Sequence, residues 1–283
     1  MHIFPYSHNT RQLVTLALQE DLAAGDPSTD ALFTDADLTT AVFLVKQPLT
    51  LAGTDMVNEV FHQLDPTFRV EWGFSDGAAL EPGTVAGTVT GSVRTLLKGE
   101  RTALNFLRHL SGIATLTRRY VMLLEGSRTR LVDTRKTTPG MREIEKAAVR
   151  AGGGFNHRYN LGSGVMLKDN HIQAAGSIAA AVQKVRNYAA FTLRIEVEVS
   201  TLDEVAQALD ARADIIMLDN MDTPTMARAI AMVNGRAIVE ASGNITDERL
   251  ASLRDLGLDV ISSGAITHSA AQVDISLKIR PQP

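Results

Sequence analysis

Hydrophobic positions change their rhythm part-way along the chain. Thr40–Gln47 (TAVFLVKQ) alternates and is β-branched, which predicts a strand. Met56–Leu64 spaces Val57, Val60, Phe61 and Leu64 at helical intervals. Thr84–Val93 (TVAGTVTGSV) alternates valine with small residues as a further strand, and Asp76-Gly77 and Glu81-Pro82-Gly83 are turn signals. From Gly99 to Gly126 a long helical pattern runs through Leu104, Leu107, Leu110, Leu116 and Tyr120. Gly112 is expected to interrupt or kink that helix, which would bridge two domains.

Beyond Gly126 short apolar runs alternate with amphipathic helices. The runs are Thr129–Val132, Val165–Leu167, Leu193–Val199, Asp214–Leu218, Ala237–Val239 and Asp259–Ile261. The helices lie near Met141–Arg150, Ser177–Tyr188, Leu202–Ala211, Pro224–Val233 and Asp247–Leu256. Repeated strand–helix units predict a parallel sheet, because parallel neighbours need a crossover. An open doubly wound sheet and a closed barrel both satisfy that pattern. The residues after each run favour the barrel: Asp133-Thr134-Arg135-Lys136, Lys168-Asp169-Asn170, Asp219-Asn220, Ser242-Gly243-Asn244 and Ser263-Gly264. Only a barrel gathers so many strand ends on one rim. Six or seven runs fall short of eight, so an incomplete barrel is expected. Val273–Ile279 reads as a last strand that can return to the first domain.

Composition narrows the classes. The chain has 283 residues, 45% hydrophobic, with a formal net charge of -4, enough for a sizeable core and a poor match for nucleic-acid binding. There is no cysteine, so disulfides, thiolate nucleophiles and cysteine-ligated metals are excluded. No signal peptide is read at the start, and no apolar stretch is long enough to span a bilayer. A cytoplasmic location is expected.

Three constellations carry chemistry. Arg101, Arg135, Lys136, His157, Arg158 and Lys168 stand at element ends or beside glycines. Arginine grips carboxylate and phosphate with a bidentate fork, so such a pocket implies a substrate with several anionic groups. Glu196 and Glu198 lie two apart on a strand and point the same way, with Asp219 ending the next strand. Inward carboxylates are costly unless paired or bound to a cation. They either pair with Arg135 and Lys136 or face Mg²⁺ and a substrate, with Glu198 nearer the strand's carboxyl end. Ser242–Asn244 and Ser263–Ala265 offer backbone N–H groups and hydroxyls to a phosphate. There is no P-loop, and the seven histidines lack metal-ligand spacing. His62, His109 and His268 read as packing or surface residues.

Taken in order, GERTALNFLRHLSGIAT (99–115), DTRKTTPGMR (133–142), GGGFNHR (152–158), LKDNHI (167–172), EVEV (196–199), ADIIMLDNM (213–221), EASGNIT (240–246) and SSGAITHSA (262–270) resemble the quinolinate phosphoribosyltransferase family, along essentially the whole chain. The resemblance implies the type II phosphoribosyltransferase fold. An N-terminal α/β sandwich (1–112, joined by the C-terminal strand 270–283) precedes an incomplete α/β barrel (113–269). It implies joining of quinolinate to phosphoribosyl pyrophosphate in NAD biosynthesis, with Mg²⁺ entering through the pyrophosphate. Thr134, Arg135, Lys136, His157, Arg158 and Lys168 would form the quinolinate pocket, with Arg101 donated across a homodimer. Glu198 and Asp219 would hold ribose and metal. Ser242, Gly243, Asn244, Ser263, Gly264 and Ala265 would hold the 5′-phosphate. Lys136, Lys168, Glu198 and Asp219 would be the catalytic set. One segment departs: Tyr159–Gly164 replaces the family's Gly-Leu and following Asp, where Asn160 can supply left-handed backbone. The alternatives are a barrel lyase with Lys168 or Lys136 as Schiff base, and a molybdenum-associated homologue of the same fold.

Overall fold

In the computed structural model residues 5–280 are described. The elements run α1 (His8–Leu22), α2 (Pro27–Leu32), β1 (Leu38–Val45), β2 (Leu49–Thr50), α3 (Thr54–Leu64), β3 (Arg69–Trp72), β4 (Ala79–Leu80), β5 (Val85–Ser92) and α4 (Val93–Leu123). Then come β6 (Arg130–Val132), α5 (Arg142–Ala151), β7 (Val165–Leu167), α6 (Asp169–Ala175), α7 (Ile178–Tyr188), β8 (Ile195–Val199) and α8 (Leu202–Asp210). The chain closes with β9 (Ile215–Asp219), α9 (Thr223–Val233), β10 (Ile238–Ser242), α10 (Asp247–Leu253), β11 (Val260–Ser262), α11 (Ala265–His268) and β12 (Ile275–Ile279). No helix among the described residues is long and apolar enough to cross a membrane.

These elements form two compact units. One holds the chain up to Arg118, Thr137–Gly153 and the chain from Ile266; the other holds Arg119–Lys136 and Gly154–Ala265. The first unit is built on an antiparallel sheet in the order β12-β1-β5-β3. Alternation buries Ala41, Phe43 and Val45 of β1 completely. Phe43 stacks on Trp72, with centroids 5.1 Å apart. Helix α3 buries Met56, Val57, Val60 and Phe61, and Phe61 stacks on Phe68 at 4.7 Å. The last strand, β12, pairs antiparallel with β1, from Ala41 opposite Ile279 to Val45 opposite Ile275.

Helix α5 groups with this first unit rather than with the 113–269 segment. Its acids explain why: Glu143 accepts from the Ser7 backbone N–H (3.1 Å), ahead of α1, and Glu145 lies 2.8 Å from His109 Nε2 on α4. His109 is therefore a packing residue. Gly112 neither breaks nor ends α4, which is continuous from Val93 to Leu123. A side chain there would lie 2.2 Å from the Ala271 carbonyl oxygen, so close backbone approach is what this glycine permits.

The second unit carries six parallel strands in the order β6-β11-β10-β9-β8-β7. Its first strand, β6, pairs with its last, β11, over Arg130–Val132. That pairing gives the strand order of a barrel left open between its first two strands; an open doubly wound sheet would keep β6 and β11 apart. The seam lies between β6 and β7, where Phe155 forms a single parallel bridge with Val132. Alternation turns Val197, Val199, Ile216, Leu218, Val239 and Ala241 outward against the helices, buried to within 3%. Glu196, Glu198, Met217, Asp219, Glu240 and Ser242 occupy the opposite, inward positions. The helices are capped: Thr201 and Glu204 form a reciprocal box on α8, and Asp222 caps α9 ahead of Pro224.

Candidate active site

The inward positions and the loops after the strands line a cleft of about 580 Å³ at the carboxyl end of the barrel. It brings together Thr134, Arg135 and Lys136 after β6, His157 and Arg158 after the bridge, and Lys168 after β7. Glu198, Asp219 and Ser242–Asn244 complete it from β8, β9 and the β10 loop. Ser263, Gly264 and Ala265 do not line it; Ser262, one residue earlier, does. Strand parity accounts for the position of Ser262, which follows Val260, the partner of Glu240, inward. Both Ser262 and Ser263 are buried with hydroxyls that make no hydrogen bond. Arg101 sits on α4 of the first unit, where it lines a different hollow with Glu20, Asp21 and His109.

The cationic side is arranged around Asp133, which is fully buried at the end of β6. Its carboxylate accepts from Asn156 Nδ2 (2.6 Å) and from the His157 backbone N–H (2.9 Å). Thr134 Oγ1 accepts from the Lys136 N–H at 3.0 Å, folding that loop back. Arg158 Nη1 donates to the Gly164 carbonyl at 3.0 Å. Asn160 does not adopt left-handed backbone. Its side chain instead accepts from the Gly162 N–H (2.9 Å), and Ser163 Oγ accepts from the Asn160 N–H (3.0 Å). So in this segment a backbone carbonyl, that of Gly164, is a partner of the Arg158 guanidinium. Burial, and then the neighbouring Arg135 charge, pull the Arg158 guanidinium below its usual pKa, against Glu196. Both guanidiniums line the one cleft, which makes it a seat for an anion.

The acidic side divides in two. Lys168 Nζ donates to Glu198 Oε2 at 2.5 Å. Glu196 is instead drawn to His157, whose Nε2 lies 3.2 Å from Glu196 Oε2 and 3.5 Å from Glu240 Oε2. Burial alone would lower the His157 pKa, but hydrogen bonds and charge from the two acids outweigh it and push it up to about 10. The Arg158 backbone N–H donates to Nδ1 at 2.7 Å, so the first ring proton belongs on Nε2. A second proton on Nδ1 would meet that amide donor head-on, so the Nδ1 contact opposes the two carboxylates and favours the neutral ring with its proton on Nε2. Burial, and then Glu240, raise the Glu196 carboxyl, opposed by His157.

After β9 and β10 three residues of the cleft have positive φ: Asn220 (51°), Gly243 (95°) and Asn244 (47°). Asn220 Nδ2 donates to Asp219 Oδ2 at 2.8 Å, and Asn244 Nδ2 donates to Asn220 Oδ1 at 3.3 Å. A Cβ on Gly243 would stand 2.1 Å from Asn220 Oδ1, so this corner requires glycine.

Asp133, Glu240 and Ser262 were not singled out from sequence. Asp133 was visible as a strand-end acid, and Glu240 shares its parity with Ser242. A larger hollow, about 770 Å³, opens where the strands begin and is lined by Arg128, Arg194, Arg212 and Arg236. Its acids are already engaged: Asp214 accepts from the Ile195 N–H (2.8 Å) and Asp259 from the Val239 N–H (2.9 Å). Those contacts close the barrel floor, and catalysis belongs to the opposite rim.

An α/β barrel with a cationic, carboxylate-edged cleft on its carboxyl rim is an enzyme built for anionic small molecules. Residues 113–278 match the family described as quinolinate phosphoribosyl transferase, C-terminal domain, and residues 26–111 match the N-terminal domain. The chain belongs to the quinolinate phosphoribosyltransferase family. It is 41% identical to the chloroplastic nicotinate-nucleotide pyrophosphorylase (carboxylating) of Arabidopsis thaliana, over 99% of this chain and 86% of that one. The structure of nicotinate-nucleotide pyrophosphorylase from Francisella tularensis is 39% identical, with a TM-score of 0.91 over 98% of this chain and 99% of that one. NadC from Streptococcus pyogenes is 43% identical, with a TM-score of 0.91 over 95% and 96%.

Proposed function

We propose that this chain joins quinolinate to phosphoribosyl pyrophosphate, releasing pyrophosphate and carbon dioxide and leaving nicotinate mononucleotide for NAD biosynthesis. The observation that carries this reading is the Arg135–Arg158 pair beside Lys168 in one cleft, opening toward Ser242–Asn244. Two adjacent carboxylates on a flat ring match two guanidinium forks. A second copy of the chain supplies Arg101 to that end.

The pyridine nitrogen attacks the anomeric carbon as pyrophosphate departs. Glu198 and Asp219 face the sugar, where positive charge develops. The ring, now cationic at nitrogen, accepts the electron pair of the carbon–carboxylate bond as carbon dioxide leaves, and a solvent proton replaces it. Positioning two anions in one cleft supplies much of the rate. The carboxylates of Glu198 and Asp219 are the hard oxygen donors that Mg²⁺ prefers, and the ion would neutralise charge on the leaving pyrophosphate. The match to both quinolinate phosphoribosyl transferase domains sets aside the lyase alternative on Lys168 or Lys136. A cytoplasmic location fits a chain without cysteine.

The direct test mixes the chain with quinolinate, phosphoribosyl pyrophosphate and Mg²⁺. Nicotinate mononucleotide is the expected product; its absence, with quinolinate unbound by calorimetry, overturns the reading.

A further inference from the structure

Glu240 has no role in the reaction as described, yet it is one of two carboxylates sunk into the barrel interior. Glu240 is 2% exposed and Glu196 3%. Each directs Oε2 at His157 Nε2, and each leaves Oε1 buried without a hydrogen bond. Burying two carboxylates this way is costly, and barrel interiors are ordinarily filled with aliphatic side chains. What the pair accomplishes is visible on the far side of the ring. Nδ1 accepts the Arg158 backbone N–H at 2.7 Å, while the His157 N–H is held by Asp133 at 2.9 Å. The ring is a strut between the two acids and the backbone that carries Arg158. The guanidinium is then aimed by the Gly164 carbonyl.

We propose that Glu240 and Glu196 are positioning residues for the dicarboxylate substrate: they hold His157 by its Nε2–H, and the ring holds Arg158 where its guanidinium meets a substrate carboxylate. This rests on the assignment of the cleft to quinolinate. His157, Glu196 and Glu240 are also spaced as a small metal-ligand set. The amide on Nδ1 decides against that use, because it puts the ring proton on Nε2, where a metal would need the lone pair.

The test compares Glu240→Gln, which keeps an acceptor, with Glu240→Ala, which removes it. The alanine variant should raise the KM for quinolinate at least about tenfold while the KM for phosphoribosyl pyrophosphate stays within about twofold; the glutamine variant should recover most of the loss. An equal rise in both KM values, or none for quinolinate, overturns the proposal. Should the alanine variant fail to fold, nitrogen NMR of His157 in the unaltered protein decides: a ring protonated on Nε2 and bare on Nδ1 at neutral pH supports the strut, and a bare Nε2 or a protonated Nδ1 overturns it. If the unaltered protein makes no product from quinolinate, the functional reading falls by itself, and the His157 spectrum still judges the strut.

Discussion

Lys168 Nζ lies 2.5 Å from Glu198 Oε2, joining the loop after β7 to the inward face of β8. The lysine side chain is 45% exposed and the glutamate 18%, so the pair is open to exchange when an anion arrives. Such a half-exposed pair contributes at most about 1 kcal/mol to stability. Lys168→Met should therefore leave the melting temperature nearly unchanged while kcat/KM falls by about a hundredfold or more. A matched loss of stability and activity would contradict the assignment. Borohydride added during turnover should label neither Lys168 nor Lys136, as mass spectrometry of the protein would report.

Arg135 lines the same cleft as Arg158, and after burial its charge is what pulls the Arg158 guanidinium below its usual pKa, so an anion between the two would be favoured. Arg135→Ala should weaken quinolinate binding by about tenfold to a hundredfold, the worth of one charge-assisted hydrogen-bonded fork. Calorimetry measures this, and circular dichroism should show the fold intact. Unchanged affinity would remove Arg135 from the site.

Gly243 and Gly235 separate strain from collision. Both have positive φ, 95° and 74°, but only Gly243 would press a Cβ onto Asn220; nothing lies within 4 Å of the other. Gly235→Ala should cost about 1 kcal/mol from the backbone alone. Gly243→Ala should cost roughly 1–3 kcal/mol more and raise the KM for phosphoribosyl pyrophosphate. Urea melts and initial rates distinguish the two; equal costs would mean Asn220 yields freely.

Chelating Mg²⁺ should stop turnover while leaving quinolinate binding unaltered. On the proposed reading Arg135, Arg158 and Lys168 take the dicarboxylate, whereas the ion would serve the pyrophosphate. Loss of quinolinate binding on chelation would shift Glu198 and Asp219 to the other substrate.

Much of this was legible in the chain itself. Strand-period and helix-period patterns are local, and they marked β6 to β11 and the helices between them to within a few residues, except α6, a short helix with no buried face to give it a period. Because parallel strands all present the same end, residues just past each run had to share a rim, which is why Arg135, Arg158, Lys168, Glu198 and Asp219 could be grouped without coordinates. Other features rest on partners that no local period encodes. That β6 closes on β11, that Glu196 and Glu240 converge on His157, and that Gly112 yields to Ala271 are meetings of residues dozens to more than a hundred positions apart. Parity shows which way a side chain points; only packing decides what stands opposite it, and a buried carboxylate takes its meaning from that neighbour.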